Sequence, residues 1–476
     1  MRELNGARKM KSLSGIGTWW LPDAGDRKVA GTISANSDGT VLLSLTEPFE
    51  DGSASSMAIP TRYPVILGDT RDGKEITLLE VYVTSRASHA MSYGRVTERG
   101  PELRAHRAFI GAHLPLGDET PVSSVKLVFS HLADWVCGDQ PFASEELSED
   151  MLRRHVEYSY PTPIDFRGLD GTILIATESG WSTSSHSETV RRQPYLRVNF
   201  DKPVAYKDIH DKVVKPFQCF LTFACGAPAD LEELSFWVDD IGYQHGDRRS
   251  PRDISQTLSE RDGDRSARPH SWEFLLPLAS IRGRVEEIFS KWLKILENAS
   301  AAVDFYGSIF LGPQLYLETR FLYAAQALEV YHRRCPWFEN KSMPTDEWRK
   351  PWNDLKETVH AYNSALENWV GEMKAVVKNE KNLRKRLEDL VEHGNDQAQR
   401  ILRPDFVDLA TKTRHKLTHH DPRASGAEGE DLFWLSEEAI GLLESCILRD
   451  LGLTPTEIIE ATSRTQRTRN LVARWK

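Results

Sequence analysis

The chain has 476 residues, of which 40% are hydrophobic and 27% charged, and its 60 basic and 70 acidic side chains give a formal net charge of −10. That length exceeds one ordinary core and predicts two or three domains, while the acidic balance is unfavourable to a protein that coats nucleic acid, because affinity for a phosphate backbone comes largely from Lys and Arg, so any RNA contact is expected to be local. No apolar run is long enough to span a bilayer, Met1 to Ser14 lacks the apolar core of a signal peptide, and five scattered cysteines without a C-x-x-C pair argue against a disulfide framework or zinc ribbon, so a cytoplasmic protein with no membrane partner is expected.

Short runs rich in β-branched residues fill the first half: Val29 to Ile33, Val41 to Leu45, Val81 to Thr84, Val125 to Phe129, Thr172 to Ala176, Leu196 to Phe200 and Phe220 to Phe223. Separated by Gly, Asp, Pro or Ser, they predict strands of a sandwich or barrel, with hairpin turns at Asp38-Gly39 and Asp170-Gly171. Trp19 and Trp20 read as core beside the first strand, with stacking on a base or sugar as the alternative. Ser144 to His155, acidic at its start and basic at its end, reads as a short helix. From Gln244 to His270 Asp, Arg, Ser, Gly and Pro dominate, as in a linker or long mobile loop. The period then becomes helical: a segment capped by Ser271 with an apolar stripe from Val285 to Leu296, a second from Leu315 to Tyr331, and others over Trp348 to Val377, Lys381 to Val391, Gln397 to His420 and Ser436 to Leu451. The expected fold class is therefore α+β and multidomain, with a β-rich sandwich or barrel over 1–245, a linker over 246–270 and an all-α bundle over 271–476.

Near the end of one predicted helix the order is Arg414-His415-Lys416-Leu417-Thr418-His419, an Arg-polar-x-x-x-His pattern, and Pro422 disfavours helix beyond that point. Breaking an RNA backbone without a metal needs a group that titrates near neutrality and a fixed cation for the phosphate. His419 and Arg414 are residues of those types. His415 and His419, four apart, share a helix face, as zinc ligands or as paired acid/base groups would; no third or fourth ligand is evident, so no metal or other cofactor is expected. Other chemistry is missing. Gly15-Ile-Gly17 does not continue into a dinucleotide loop, no Walker A loop exists, and Arg265 to His270 and Arg386 to His393 are poorer versions of the same pattern, the first running through Pro269 and the second longer with Leu387 in the second position. Glu329 and Arg333 read as an ordinary intrahelical ion pair. The basic runs Lys381 to Arg386 and Arg464 to Lys476 read as a solvated helix face and a frayed tail. The alternative for the Arg414 motif itself is a solvated basic helix end whose side chains cap exposed carbonyls.

Arg-polar-x-x-x-His is the signature of HEPN ribonucleases, and two longer stretches extend the likeness. Gly17-Thr-Trp-Trp-Leu-Pro22 followed by Val29-Ala-Gly-Thr-Ile33, and Leu317 to His332 ahead of the motif helix, resemble the ApeA-like HEPN proteins, a family of anti-phage abortive-infection ribonucleases. The resemblance implies a metal-independent endoribonuclease whose HEPN domains pair as a homodimer, so that two motifs form one composite cleft. It implies that Arg414 holds the scissile phosphate, His419 transfers a proton and His415 takes the polar second position. Host or phage RNA, tRNA among the candidates, would be cut to a 2',3'-cyclic phosphate and a 5'-hydroxyl, and the β-rich domain would sense a phage-encoded trigger. His420 gives a second legal match. The rival readings are a HEPN module that binds nucleotide or RNA without cutting it, and a β-sandwich ligand-binding protein with a structural helical bundle.

Overall fold

The computed structural model describes residues 13–36, 39–49, 61–85, 88–92, 95–138, 143–147, 154–183, 188–245, 248–256, 258, 269–311, 315–363, 366–376, 378–419 and 425–475. They form two compact units, residues 1–218 with 229–268 and residues 219–228 with 269–476. The N-terminal region is rich in strand and the C-terminal region is helical, as the two periodicities predict. Among the described residues no helix is long and apolar enough to cross a membrane.

The first unit begins with β1 (Ser14–Trp20), β2 (Val29–Ala35), β3 (Val41–Leu45), β4 (Arg62–Thr70), β5 (Glu75–Ser85), the hairpin β6 (Ser88–Ser92) and β7 (Arg95–Arg99), and β8 (Glu102–Ile110). Six of these, in the order β8-β3-β2-β1-β4-β5, close into a barrel because β5 returns to pair with β8. Alternation explains the core: Val41, Leu43 and Leu45 point inward and are buried while Leu42 and Ser44 between them are exposed. Trp19 sits in that core fully buried, opposite Gly68 in the β1–β4 register. A Cβ at Gly68 would fall 2.1 Å from the Trp19 ring, so the indole needs glycine across the strand pair. The alternative role for Trp19, stacking on a nucleotide, is ruled out by its burial.

Beyond β8 the sheet continues with β9 (Pro121–Phe129), β12 (Ile164–Gly168), β13 (Gly171–Thr183), β14 (Glu188–Ala205), β15 (Leu231–Trp237) and β18 (Ile254–Gln256), in the order β12-β13-β14-β9-β15-β18-β8. Two short hairpins stand apart, β10 (Ala143–Leu147) with β11 (Arg154–Tyr158) and β16 (Gly242–His245) with β17 (Arg248–Pro251). Three local expectations are corrected. The described residues of the segment read as a helix at Ser144 to His155 belong to strands β10 and β11, which pair antiparallel. The stretch read as a linker contains β17 and β18, since Ile254 is buried and paired with Phe236. Phe220 to Phe223 is helical, because Phe217, Phe220, Leu221 and Ala224 recur at three- and four-residue intervals. The turn at Asp38 lies outside the described residues; Leu169 and Asp170 take positive φ in the β12–β13 turn.

α1 (Leu132–Cys137) and α2 (Tyr206–Ile209) belong to the first unit, and α3 (Lys215–Cys225) spans the division, its residues from Cys219 onward belonging to the second. The second unit holds α4 (Leu278–Ile281), α5 (Val285–Leu311), α6 (Leu317–Arg334), α7 (Thr345–Tyr362), α8 (Glu367–Val376), α9 (Leu383–Ile401), α10 (Phe406–His419), α11 (Gly429–Asp450), α12 (Pro455–Ser463) and α13 (Gln466–Arg474). Ser271 opens only a short 3-10 turn, and the single helix expected over Trp348 to Val377 is two. Pro404 separates α9 from α10, and residues 435–448 of α11 are all buried, which makes it the central helix.

Around α11 the bundle buries charge as well as apolar surface. Arg467 of α13 is clamped between Glu437 (2.7 Å) and Glu444 (2.5 Å), Glu437 also takes Arg320 at 2.6 Å, and the Tyr306 hydroxyl donates to Glu444 at 2.8 Å. Burial alone would favour the neutral forms, but each carboxylate faces a guanidinium, and the Glu437 carboxyl is held below its usual range by Arg467 and Arg320. Arg467→Ala would leave Glu444 buried with only the Tyr306 hydroxyl and Glu437 with Arg320 alone. Its expected cost is about 3–5 kcal/mol, read as a lower urea midpoint at unchanged slope; a loss under about 1 kcal/mol would mean the cluster behaves like surface ion pairs. The basic tail is therefore not frayed: Arg464 pairs with Glu460, Arg469 with Glu273 and Arg474 with Glu430.

Candidate functional site

α10 runs to His419, so Arg414, His415 and His419 occupy its last two turns. The helix forms because Phe406, Ala410 and Thr413 recur on one face and are buried. Its end is fixed by the returning chain: the Thr413 hydroxyl accepts from the Ala427 backbone N–H at 2.8 Å, and Lys416 forms an ion pair with Glu428. Gly426 packs closely there, a Cβ at that position lying 3.0 Å from the Thr413 Cα.

Turned away from that buried face, His415 and His419 are exposed, and their rings lie 4.6 Å apart between centroids at 48°. The four-residue spacing thus brings both imidazoles together. Arg414 is half-buried and reaches back to α6, where its Nη2 lies 3.4 Å from Glu329 Oε2. The other oxygen of Glu329 accepts from Arg333 Nη2 at 2.8 Å. One carboxylate therefore holds two guanidiniums, one of them in the motif. Reading Glu329–Arg333 as an ordinary intrahelical pair missed this, because the sequence spacing gives no sign of α10 at the same place. His420 lies outside the described residues.

A second layer anchors the α6 turn that carries Glu329 and Arg333. His332, next to Arg333, is fully buried, with Nε2 2.6 Å from Asp389 Oδ2 and Nδ1 3.3 Å from Arg386 Nη1. Arginine only donates, so Nδ1 must accept and the ring proton sits on Nε2, donated to Asp389. Arg386 also donates to Asn340 Oδ1 and to the Lys381 carbonyl, each at 2.8 Å, while Asn340 Nδ2 caps the Arg333 carbonyl at 2.8 Å. The run Lys381 to Arg386 is accordingly not a solvated face: Lys381 pairs with Asp389, Arg384 with Asp408, and Arg386 is buried. Nothing in the sequence marked His332; its placement beside Arg386 depends on how α9 packs on α6.

Burial pulls the His332 imidazole below its usual range, against the opposing pull of Asp389. The unfolded chain then takes up a proton at higher pH than the native state does. This contribution to stability is complete above the ordinary histidine pKa of about 6.5 and is lost as pH falls below it. Wild-type stability should decline from about pH 6.5 downward more steeply than that of His332→Gln; parallel pH profiles in urea titrations would show that His332 is not the group.

Among the described residues no group of three or more His, Cys, Asp or Glu is placed to hold a metal ion. The last two turns of α10 offer instead a partly exposed guanidinium oriented by a carboxylate and two exposed, paired imidazoles. Residues 14–292 match the family model described as ApeA N-terminal domain 1, and residues 322–457, which include the motif, match that described as Apea-like HEPN. No curated protein and no solved structure matches the chain.

Proposed function

The chain belongs to the ApeA-like HEPN family, and from that premise we propose that it is a metal-independent endoribonuclease acting as an anti-phage effector that arrests the infected cell. The observation that carries the reading is that the last two turns of α10 carry both Arg414, held by Glu329, and the paired His415 and His419 rings. Arg414 binds a non-bridging oxygen of the scissile phosphate and offsets charge that grows as the phosphorus is attacked. His419 takes the proton of the 2'-hydroxyl as that oxygen bonds to phosphorus, and His415 lies beside it to bind and orient the phosphate. The P–O5' bond breaks, and the departing oxygen receives a proton from an acid on the far side of the phosphorus. The products are a 2',3'-cyclic phosphate and a 5'-hydroxyl. The β-rich domain senses the trigger, and the RNA is of host or phage origin.

Because protein side chains supply every charge in this scheme, cleavage of total RNA by the purified protein should proceed unchanged in EDTA. Activity that chelation abolishes and magnesium restores would sink the assignment.

A further inference from the structure

The β-rich domain carries an unexplained electrostatic feature on one face of its long sheet. Along β14 the side chains of Leu196 and Val198 are buried on one side, which places Arg191, Gln193, Tyr195 and Arg197 on the other. In the β14–β9 register Arg197 lies directly opposite Lys126. Like charges in that position destabilise a sheet, and only one of them is neutralised: Lys126 Nζ bonds to Glu178 at 2.6 Å, whereas Glu233, on the neighbouring strand, accepts from Gln193 at 3.1 Å. Among the described residues the Arg197 guanidinium has no carboxylate or hydrogen-bond partner, and its buried Nε is unsatisfied. It lies instead over the Trp237 ring at 4.2 Å and near Tyr195 at 5.8 Å, while Lys126 sits 4.9 Å from the same tyrosine.

An unpaired, partly desolvated cation opposite a second cation costs folding free energy, and a neutral side chain on Trp237 would pack without that cost. What the arrangement lacks is an anion, and what lies next to it is an aromatic ring. We propose that this face of β9, β13, β14 and β15 is a nucleotide-binding platform, with a phosphate held between Arg197 and Lys126 and the attached base stacked on Tyr195. Aromatic rings on a sheet flanked by cations bind bases and phosphates in this way with little regard to sequence. Exposed Arg191, six residues along β14 on the same face, lies about 20 Å away at the usual strand rise, so the row extends to more than one phosphate and can take a strand as well as a free nucleotide.

The test uses the full-length protein with thymidine monophosphate, a fluorescent dT12 strand and inorganic phosphate, none of which offers a 2'-hydroxyl for cleavage. One or both nucleotide probes should bind, inorganic phosphate at least tenfold more weakly. Arg197→Leu and Lys126→Gln should each weaken binding about tenfold, the strength of one charge-assisted contact, and lower the salt slope for dT12 by about 0.7. Tyr195→Ala should weaken it and Tyr195→Phe restore it, with melting curves confirming that every variant is folded. Preference for the monophosphate identifies a free nucleotide as the ligand, and preference for dT12 a strand. Failure of both probes to bind, or equal binding by wild type, Arg197→Leu and Lys126→Gln, overturns the proposal. Every readout here is binding of an uncleavable probe, so the result stands apart from the ribonuclease assignment.

Discussion

Arg414→Ala and His419→Ala should each reduce RNA cleavage by about 10²–10⁴-fold, the range for losing a positioned acid/base group or a donor aimed at developing charge. Both should leave the melting temperature within a few degrees of wild type. His419 is exposed at a helix end, and Arg414 is half-buried with one ion pair, to a carboxylate that keeps Arg333 when Arg414 is removed. Neither side chain packs in the bundle core, which rests on α11. The two losses should differ in kind. Removing Arg414 takes away both substrate binding and transition-state stabilisation, so KM rises as kcat falls; removing His419 falls mainly on kcat. Cleavage by both variants at the wild-type rate would mean that the motif is a solvated helix end and nothing more.

How far the sequence led depended on whether the deciding interaction was local. The strands at Val41 to Leu45 and Val125 to Phe129 were legible because alternation sets which side chains are buried. The helix end at His419 was legible from Pro422. The closure of six strands into a barrel was not, because it rests on β8 pairing with β5 as well as β3, a contact between distant residues with no local signature. Charge patterns misled most. The basic runs at 381–386 and 464–476 looked solvated because their partners, Asp389, Asp408, Glu437 and Glu444, mostly come from other segments. The same limit applied at the candidate site. His415 and His419 are neighbours on one helix and could be paired from spacing, whereas the Glu329–Arg414 contact joins two helices and needed the fold.

The proposed chemistry also bears on how many copies one active site needs. In-line attack places the nucleophilic 2'-oxygen and the leaving 5'-oxygen on opposite sides of the phosphorus, so the proton acceptor and the proton donor must be on opposite sides too. His415 and His419 lie with ring centroids only 4.6 Å apart on one helix face, too close to flank a phosphate from both sides. On the proposed mechanism a second copy turned by a two-fold axis would supply the missing side, with the same helical surface of each chain buried against the other. Light scattering at micromolar concentration should therefore give a dimer, and specific activity should fall on dilution through its dissociation constant. Co-expression with an Arg414→Ala/His419→Ala chain sharpens the test. If one cleft needs both motifs, activity follows the square of the wild-type fraction, so an equal mixture retains about one quarter of full activity; chains acting singly would retain about half. A linear decline, or an active protein that stays monomeric at every concentration, would overturn the composite site and require a donor from elsewhere in the same chain.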